Sequence, residues 1–210
     1  MTALPYKQLS EIIKERHSVR KYDSTFKIPR VEMEEILKEA TLAPSSSNLQ
    51  PWRFIVVEEQ ASKKELCSIA YNQEQVAKAS AVIVVLGDKE MFKNAENVYQ
   101  SAFEAGFMTD ENKTKMTEST VNLYSKASEE MRKNIATYDA GLVSMQIMLI
   151  AKDKGYDTVP MSGFNKEKFV ERFNVPERFF PIVLIPIGKA AAPAHSTTRL
   201  PLEDVLLNYI

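Results

Sequence analysis

Hydrophobic positions recur along this chain with two periods, and the switches between them outline its elements. Residues 6–15 place Leu9, Ile12 and Ile13 on one face at helical spacing, so a first helix is predicted there. After Ile28 and Pro29 a second helix is predicted over 31–42, with Val31, Met33, Ile36, Leu37 and Ala40 turned inward. Ala43-Pro44 ends it, because a residue that precedes proline disfavours helical geometry. A short strand is expected at 54–57, beyond Trp52, and Ser62 with Glu65 three residues on reads as the capping box of a helix through Tyr71. The run 81–86 is apolar at every position, which fits a strand in the middle of a sheet covered on both sides. Residues 91–133 read as helices with polar interruptions. Residues 134–152 read as one helix, apolar almost all round from 138 to 151 and therefore buried between layers, with Gly155 as its stop. A strand at 157–159, a loop at 160–164, a small helix at 166–173 and a strand at 180–187 follow. Residues 188–210 have too few sequence neighbours to make a core of their own and are expected to pack elsewhere, on a partner chain. The expected fold is an α+β sandwich with helices on both faces of a sheet. Without a linker or an internal repeat, 1–210 reads as a single domain.

Composition narrows the chemistry. The chain has 210 residues and a formal net charge of −1, which gives no reason to expect nucleic acid or an anionic membrane as partner. Its single cysteine, Cys67, leaves no intramolecular disulfide framework and fits a reducing cytoplasm. Residues 1–15 lack the apolar run of a signal peptide, and the most apolar helical stretch, 140–151, is too short to span a bilayer. The expectation is a soluble, cytoplasmic protein. The two histidines, His17 and His195, have no partner at metal-ligand spacing, so no metal site is expected. There is no Gly-x-Ser-x-Gly elbow, no Gly-x-x-x-x-Gly-Lys-Ser/Thr loop and no Gly-x-Gly-x-x-Gly turn. A bound organic cofactor is the expected carrier of any chemistry.

Three stretches are candidates for holding one. In an extended segment Arg16, Ser18 and Arg20 would line one surface, and two guanidiniums with a hydroxyl suit a phosphate and a polar carbonyl. The alternative is a solvated basic cluster at the end of the first helix. Residues 43–52, APSSSNLQPW, form a proline-bounded loop dense in hydrogen-bonding groups, or else a polar turn beside a buried tryptophan. Residues 160–164, PMSGF, follow a short strand, where Gly163 lets backbone approach a flat ligand; an ordinary loop glycine is the alternative.

Taken together, the Arg-x-Ser-x-Arg-x-Tyr segment, the Pro-Ser-Ser-x-Asn-x-Gln-Pro-Trp run, Asn72-Gln73-Glu74-Gln75 and the C-terminal Thr198-Arg199-Leu200-Pro201-Leu202 resemble the FMN-binding nitroreductases. That resemblance implies a three-layer α-β-α sandwich with a mixed, mostly antiparallel sheet. It also implies a homodimer with FMN at the subunit interface, a helical cap at about 91–133 and a tail at about 188–210 that reaches the partner. By the same likeness Arg16 and Arg199 would hold the FMN phosphate with Ser18 assisting, His17 would lie against the flavin or its ribityl chain, and Arg20 would face the N1–C2 side. Asn72 and Gln75 would sit near the pyrimidine ring, and the backbone of Pro160, Met161, Ser162 and Gly163 near N5. Pro44, Ser45, Ser46 and Asn48 would come from the other subunit. Some relatives carry lysine where this chain has Gln75, glutamate where it has Ser162, and a second basic residue where it has Thr197, for which Lys189 would compensate. Phe103, Phe107 and Tyr124 are candidate acceptor contacts, although an aromatic stripe at helical spacing is also ordinary core. The implied activity is hydride transfer from NADH or NADPH through flavin N5 to nitroaromatics, quinones or similar flat acceptors, by a ping-pong scheme without a catalytic side chain. A flavin store or a dimeric interaction module on the same fold is the alternative.

Overall fold

The computed structural model describes residues 8–210. Its architecture follows from β2, Ala81–Asp88, whose every residue is buried. β1 (Trp52–Val57) and β4 (Phe179–Gly188) pair with it on either side, and β3 (Asp157–Thr158) pairs with β4. All three pairings are antiparallel, in the order β1-β2-β4-β3. Successive side chains of β2 point to opposite faces, so a strand apolar at every position needs two covering layers. Ala81, Ile83 and Val85 pack with α2 (Arg30–Ala40) and α7 (Glu129–Asp153) through Met33, Ile36, Val143 and Ile147. Val82, Val84 and Leu86 pack with α3 (Gln60–Ile69), α4 (Glu74–Lys78) and α8 (Lys166–Arg172) through Leu66, Val76 and Phe169. The three-layer α+β sandwich expected from the sequence is the fold. A bulge between Val85 and Leu86 brings Gly87 opposite Phe180, where a Cβ would lie 2.6 Å from the ring, so a side chain at that position has no room.

Several boundaries move. The first helix, α1, is Leu9–Glu15; Tyr6 and Lys7 of the expected span lie outside the described residues. Only Ile12 of its apolar trio is buried, and Leu9 and Ile13 are exposed. α2 ends at Ala40 rather than Leu42, and Val31 in its first turn is exposed. α3 starts at Gln60, ahead of Ser62, whose hydroxyl donates to Glu59 instead of capping, because the chain turns into the helix as soon as β1 is complete. α7 begins earlier than expected, where the Ser128 hydroxyl accepts from Met131 N at 3.1 Å. It is not buried all round: Tyr138, Gly141 and Met145 face outward. With Leu9, Leu42 and Pro44 the latter two border an apolar groove of about 600 Å³. Gly155 does stop α7, at φ 78°.

The segment 91–133 resolves into a 3-10 turn (Met91–Asn94), α5 (Ala95–Glu104), α6 (Asp110–Lys126) and the start of α7. The C-terminal segment carries α9 (Leu202–Val205) and leaves Leu200, Leu202, Leu207 and Tyr209 exposed. Among the described residues no helix is long and apolar enough to cross a membrane.

One buried charge is unexpected. Lys63 of α3 is 1% exposed, and its Nζ donates to the carbonyls of Ala79 (2.5 Å) and Ser80 (3.1 Å) at the turn into β2. Burial, reinforced by the nearby Lys27, pushes its pKa down to about 8 from 10.5. Below about pH 8 the ammonium is charged in both folded and unfolded states, and its desolvation burdens the fold in full. Between about 8 and 10.5 the unfolded chain holds a proton that the folded protein has released, so this group makes stability rise with pH. Relative to Lys63→Met, the parent protein is therefore expected to gain unfolding free energy between pH 7 and pH 10 in urea titrations; a difference independent of pH would refute this.

Candidate cofactor site

The strand after α1 is held at the edge of the sheet. Val19 N donates to Thr158 O at 3.1 Å, and Ser18 bridges Thr158 in parallel; among the described residues this is the one parallel pairing beside the antiparallel sheet. Farther on, Tyr22 bridges Ala190, its hydroxyl donates to Pro186 O at 3.1 Å, and Ala191 N donates to Lys21 O at 2.8 Å. Val19 and Tyr22 point inward onto Ala79. Arg16 and Ser18 are half-buried while His17 and Arg20 are exposed. Among the described residues the side chains of Arg16, His17 and Arg20 make no hydrogen bond or ion pair. Two guanidiniums fixed through the backbone, with their side chains unengaged, are what an anionic ligand requires.

Two further candidate stretches meet each other just beyond Thr158. The chain leaving β3 enters Pro160 to Gly163, and Met161 exchanges backbone hydrogen bonds with Leu184 at 2.8 and 2.9 Å. Gln75 at the start of α4 is buried, and its Nε2 lies 3.5 Å from Met161 Sδ and 3.2 Å from Gln73 Oε1. Gln73 Nε2 in turn donates to Gly163 O at 3.1 Å. Tyr71 and Asn72, both with positive φ, form the sharp turn that delivers this segment. Ser162 and Gly163 are exposed, and a Cβ on Gly163 would meet nothing within 4 Å, so that backbone faces open space.

The serine loop forms a separate cluster. Ser46 donates to Asp139 of α7 through both its N–H (3.0 Å) and its hydroxyl (3.2 Å), and the Ser45 hydroxyl accepts from Gln50 N at 3.0 Å. Ser47 shares a 3.0 Å hydrogen bond with the Tyr124 hydroxyl and accepts from the Tyr99 hydroxyl at its carbonyl, at 3.1 Å. Among the described residues no hydrogen bond or bridge joins this loop to the Arg16 strand. Asn48 is exposed and borders, with Gln50, Val98, Ala102 and Phe107, a groove of about 380 Å³.

Some candidate residues are placed otherwise than expected. Tyr124 is buried and anchors the serine loop rather than presenting its ring to a ligand. Phe103 lies under the Lys113 ammonium, 5.0 Å from it, whereas Phe107 is 83% exposed. The Lys189 ammonium is already engaged, donating to Gly155 O at 2.6 Å and lying 4.6 Å from the Tyr156 ring centre. Arg199 sits in the exposed tail and donates to Thr197 Oγ1 at 2.9 Å and Thr198 O at 2.7 Å. It is not brought to Arg16 within this chain.

A buried ionic network has no counterpart in the motifs. Asp88 is fully buried and receives two hydrogen bonds from Arg178, Nε at 2.7 Å and Nη2 at 2.6 Å, with Arg53 Nη2 at 3.7 Å. Both guanidiniums also donate to Asn94 Oδ1 at 3.2 Å, and Asn94 Nδ2 donates to Leu49 O at 2.8 Å. The network fastens the start of the 91–133 segment, at Asn94, to the exit of the serine loop at Leu49. Ninety residues separate Asp88 from Arg178, so no local pattern announces it.

The sequence model of the nitroreductase family matches residues 13–189. The chain belongs to the nitroreductase family. Among nitroreductase relatives, YodC of Bacillus subtilis (strain 168), which bears the name of an NAD(P)H nitroreductase, is 44% identical over 195 residues, 93% of this chain and 96% of its own. The CLA biosynthesis enone reductase of Lactiplantibacillus plantarum is 36% identical, over 91% of this chain and 89% of its own. A crystal structure of a nitroreductase-named protein from Exiguobacterium sibiricum 255-15, in complex with FMN, aligns with a TM-score of 0.92 at 40% identity, covering 98% of this chain and 99% of its own.

Proposed function

We propose that this nitroreductase is an FMN-dependent oxidoreductase that takes hydride from NADH or NADPH and delivers it to flat acceptors such as nitroaromatics and quinones. The observation that carries this reading is the strand of unengaged cations, Arg16 and Arg20 with His17, locked by Ser18 to the stretch that leads into the 160–163 loop. The donors fit the cofactor: a phosphate end for Arg16 and Ser18, a polar pyrimidine end for Arg20, Asn72 and Gln75, and outward-facing backbone at Ser162 and Gly163. FMN supplies the two-electron chemistry when bound, and the protein supplies placement. Arg20 provides a fixed positive charge where negative charge develops on reduction. No side chain is needed as acid or base, and solvent serves as the proton source. Donor and acceptor use the same place in turn, which gives ping-pong kinetics. Lys189 holds Gly155 O in this chain, so its part in a phosphate grip would be through its remaining donors.

The working form is a homodimer, cytoplasmic, with one domain per chain and a cofactor site across the interface. The exposed apolar strip of α7, the groove beside it and the apolar tail support this, because contiguous apolar surface of that kind marks an interaction face. So does the division of the candidate residues into two clusters that one chain does not unite. In a dimer, Pro44, Ser45, Ser46 and Asn48 complete the partner's site, Arg199 joins a phosphate grip, and the cap at 91–133 borders the acceptor through Phe103 and Phe107.

The deciding test is an anaerobic absorbance titration of the purified protein with NADH and with NADPH. Bleaching of a flavin band, with recovery on adding a quinone or nitroaromatic, is expected. Bound flavin that neither nicotinamide bleaches would point to a store, and failure to bind added FMN would end the reading.

A further inference from the structure

Asp139 lies in the middle of α7 and is fully buried. Among the described residues no cation pairs with it, and its hydrogen-bond donors are the N–H and hydroxyl of Ser46, 93 positions away in the chain. Burial pushes its carboxyl above the ordinary range, partly offset by those two bonds. A lone carboxylate in that position burdens the fold, and an amide or apolar side chain would be the more stable choice. The feature it holds is itself strained: Ser47, Asn48 and Gln50 all have positive φ, at 50°, 53° and 47°. Non-glycine residues keep such conformations only where surrounding contacts impose them.

We infer that Asp139 is a positioning residue for cofactor binding, fixing through both donors of Ser46 the loop that each subunit lends to its partner's site. The inference rests on the FMN reading above. Each carboxylate oxygen accepts one of the Ser46 donors. An asparagine of the same shape keeps both contacts once the Ser46 hydroxyl turns to accept from its NH₂ group, whereas an alanine offers Ser46 no partner. The residue thus trades stability for the placement of Ser45, Ser46 and Asn48.

The test compares the parent protein with Asp139→Ala, Asp139→Asn and Ser46→Ala as intact dimers. FMN is removed, thermal unfolding of the apoprotein is recorded, and FMN is titrated back by fluorescence. Asp139→Ala is expected to unfold at the same or a higher temperature than the parent yet to bind FMN about tenfold more weakly. Excess FMN is expected to restore most of its kcat. Asp139→Asn, which can keep both contacts, is expected to bind FMN close to the parent, and Ser46→Ala, which keeps the N–H bond, to lose less affinity than Asp139→Ala. Unchanged FMN affinity in Asp139→Ala would overturn the inference. So would a fall in apoprotein stability that accompanies the loss of FMN, since the carboxylate would then be a structural element. A parent protein that binds no FMN would instead overturn the functional reading itself.

Discussion

Arg178→Ala is expected to lower the unfolding free energy by about 3–5 kcal/mol, more than Asp88→Ala. The asymmetry follows from exposure. Asp88 is entirely without solvent contact, so loss of its bidentate partner strands a charge in the interior with only the longer Arg53 contact, at 3.7 Å, and Glu90 N, at 2.8 Å. The guanidiniums of Arg178 and Arg53 retain 27% and 41% side-chain exposure and can turn to water if the carboxylate is removed. Urea unfolding at a fixed protein concentration measures both, with the exposed pair Glu74–Lys78 as the reference expected to change little. An Asp88→Ala variant less stable than Arg178→Ala would sink this account. Because the same network joins Asn94 to Leu49, Arg178→Ala is also expected to loosen the helices that follow Asn94, visible as faster hydrogen exchange in α5.

The second large effect concerns the cofactor. Arg16→Ala is expected to weaken FMN binding by roughly ten- to a hundredfold, the scale of charge-assisted hydrogen bonds to a phosphate. Among the described residues this guanidinium makes no hydrogen bond or ion pair on which the fold would depend. Apoprotein stability should therefore stay close to that of the parent while the dissociation constant rises. The loss should also shrink as ionic strength increases, because salt screens the charge that the mutation removes. Fluorescence titration of apoprotein with FMN at two salt concentrations gives both readings, and unchanged affinity would take Arg16 out of the site. Arg20→Ala has a different signature: the same argument expects a lower flavin reduction potential with a smaller effect on retention, because this cation faces charge that develops on reduction.

Much of this protein was settled locally, and local physics is legible in a sequence. The unbroken apolar run of β2 required a layer on each face whatever surrounded it, and α2, α7 on one side and α3, α4, α8 on the other are those layers. Gly155 ended α7 because a helix stop at positive φ costs least for a residue without a Cβ. The motif residues 16–20, 72–75 and 160–163 were recognisable by order and spacing; the fold ties 72–75 to 160–163 through Gln75 and Gln73, and bridges Ser18 to Thr158 just ahead of that loop. What the sequence could not carry are pairings made only after distant segments meet. Lys63 reads as one of two adjacent surface lysines, but its stem lies under the turn into β2 and its ammonium meets two carbonyls there. Asp139 reads as a polar interruption in an apolar helix until Ser46 arrives from 93 residues away. Asp88 and Arg178 look like unrelated charges until β2 and β4 pair. The outward strip of α7 was misread for a related reason: a helix's apolar period says which residues seek cover, and only the assembled tertiary structure decides whether the chain's own core provides it.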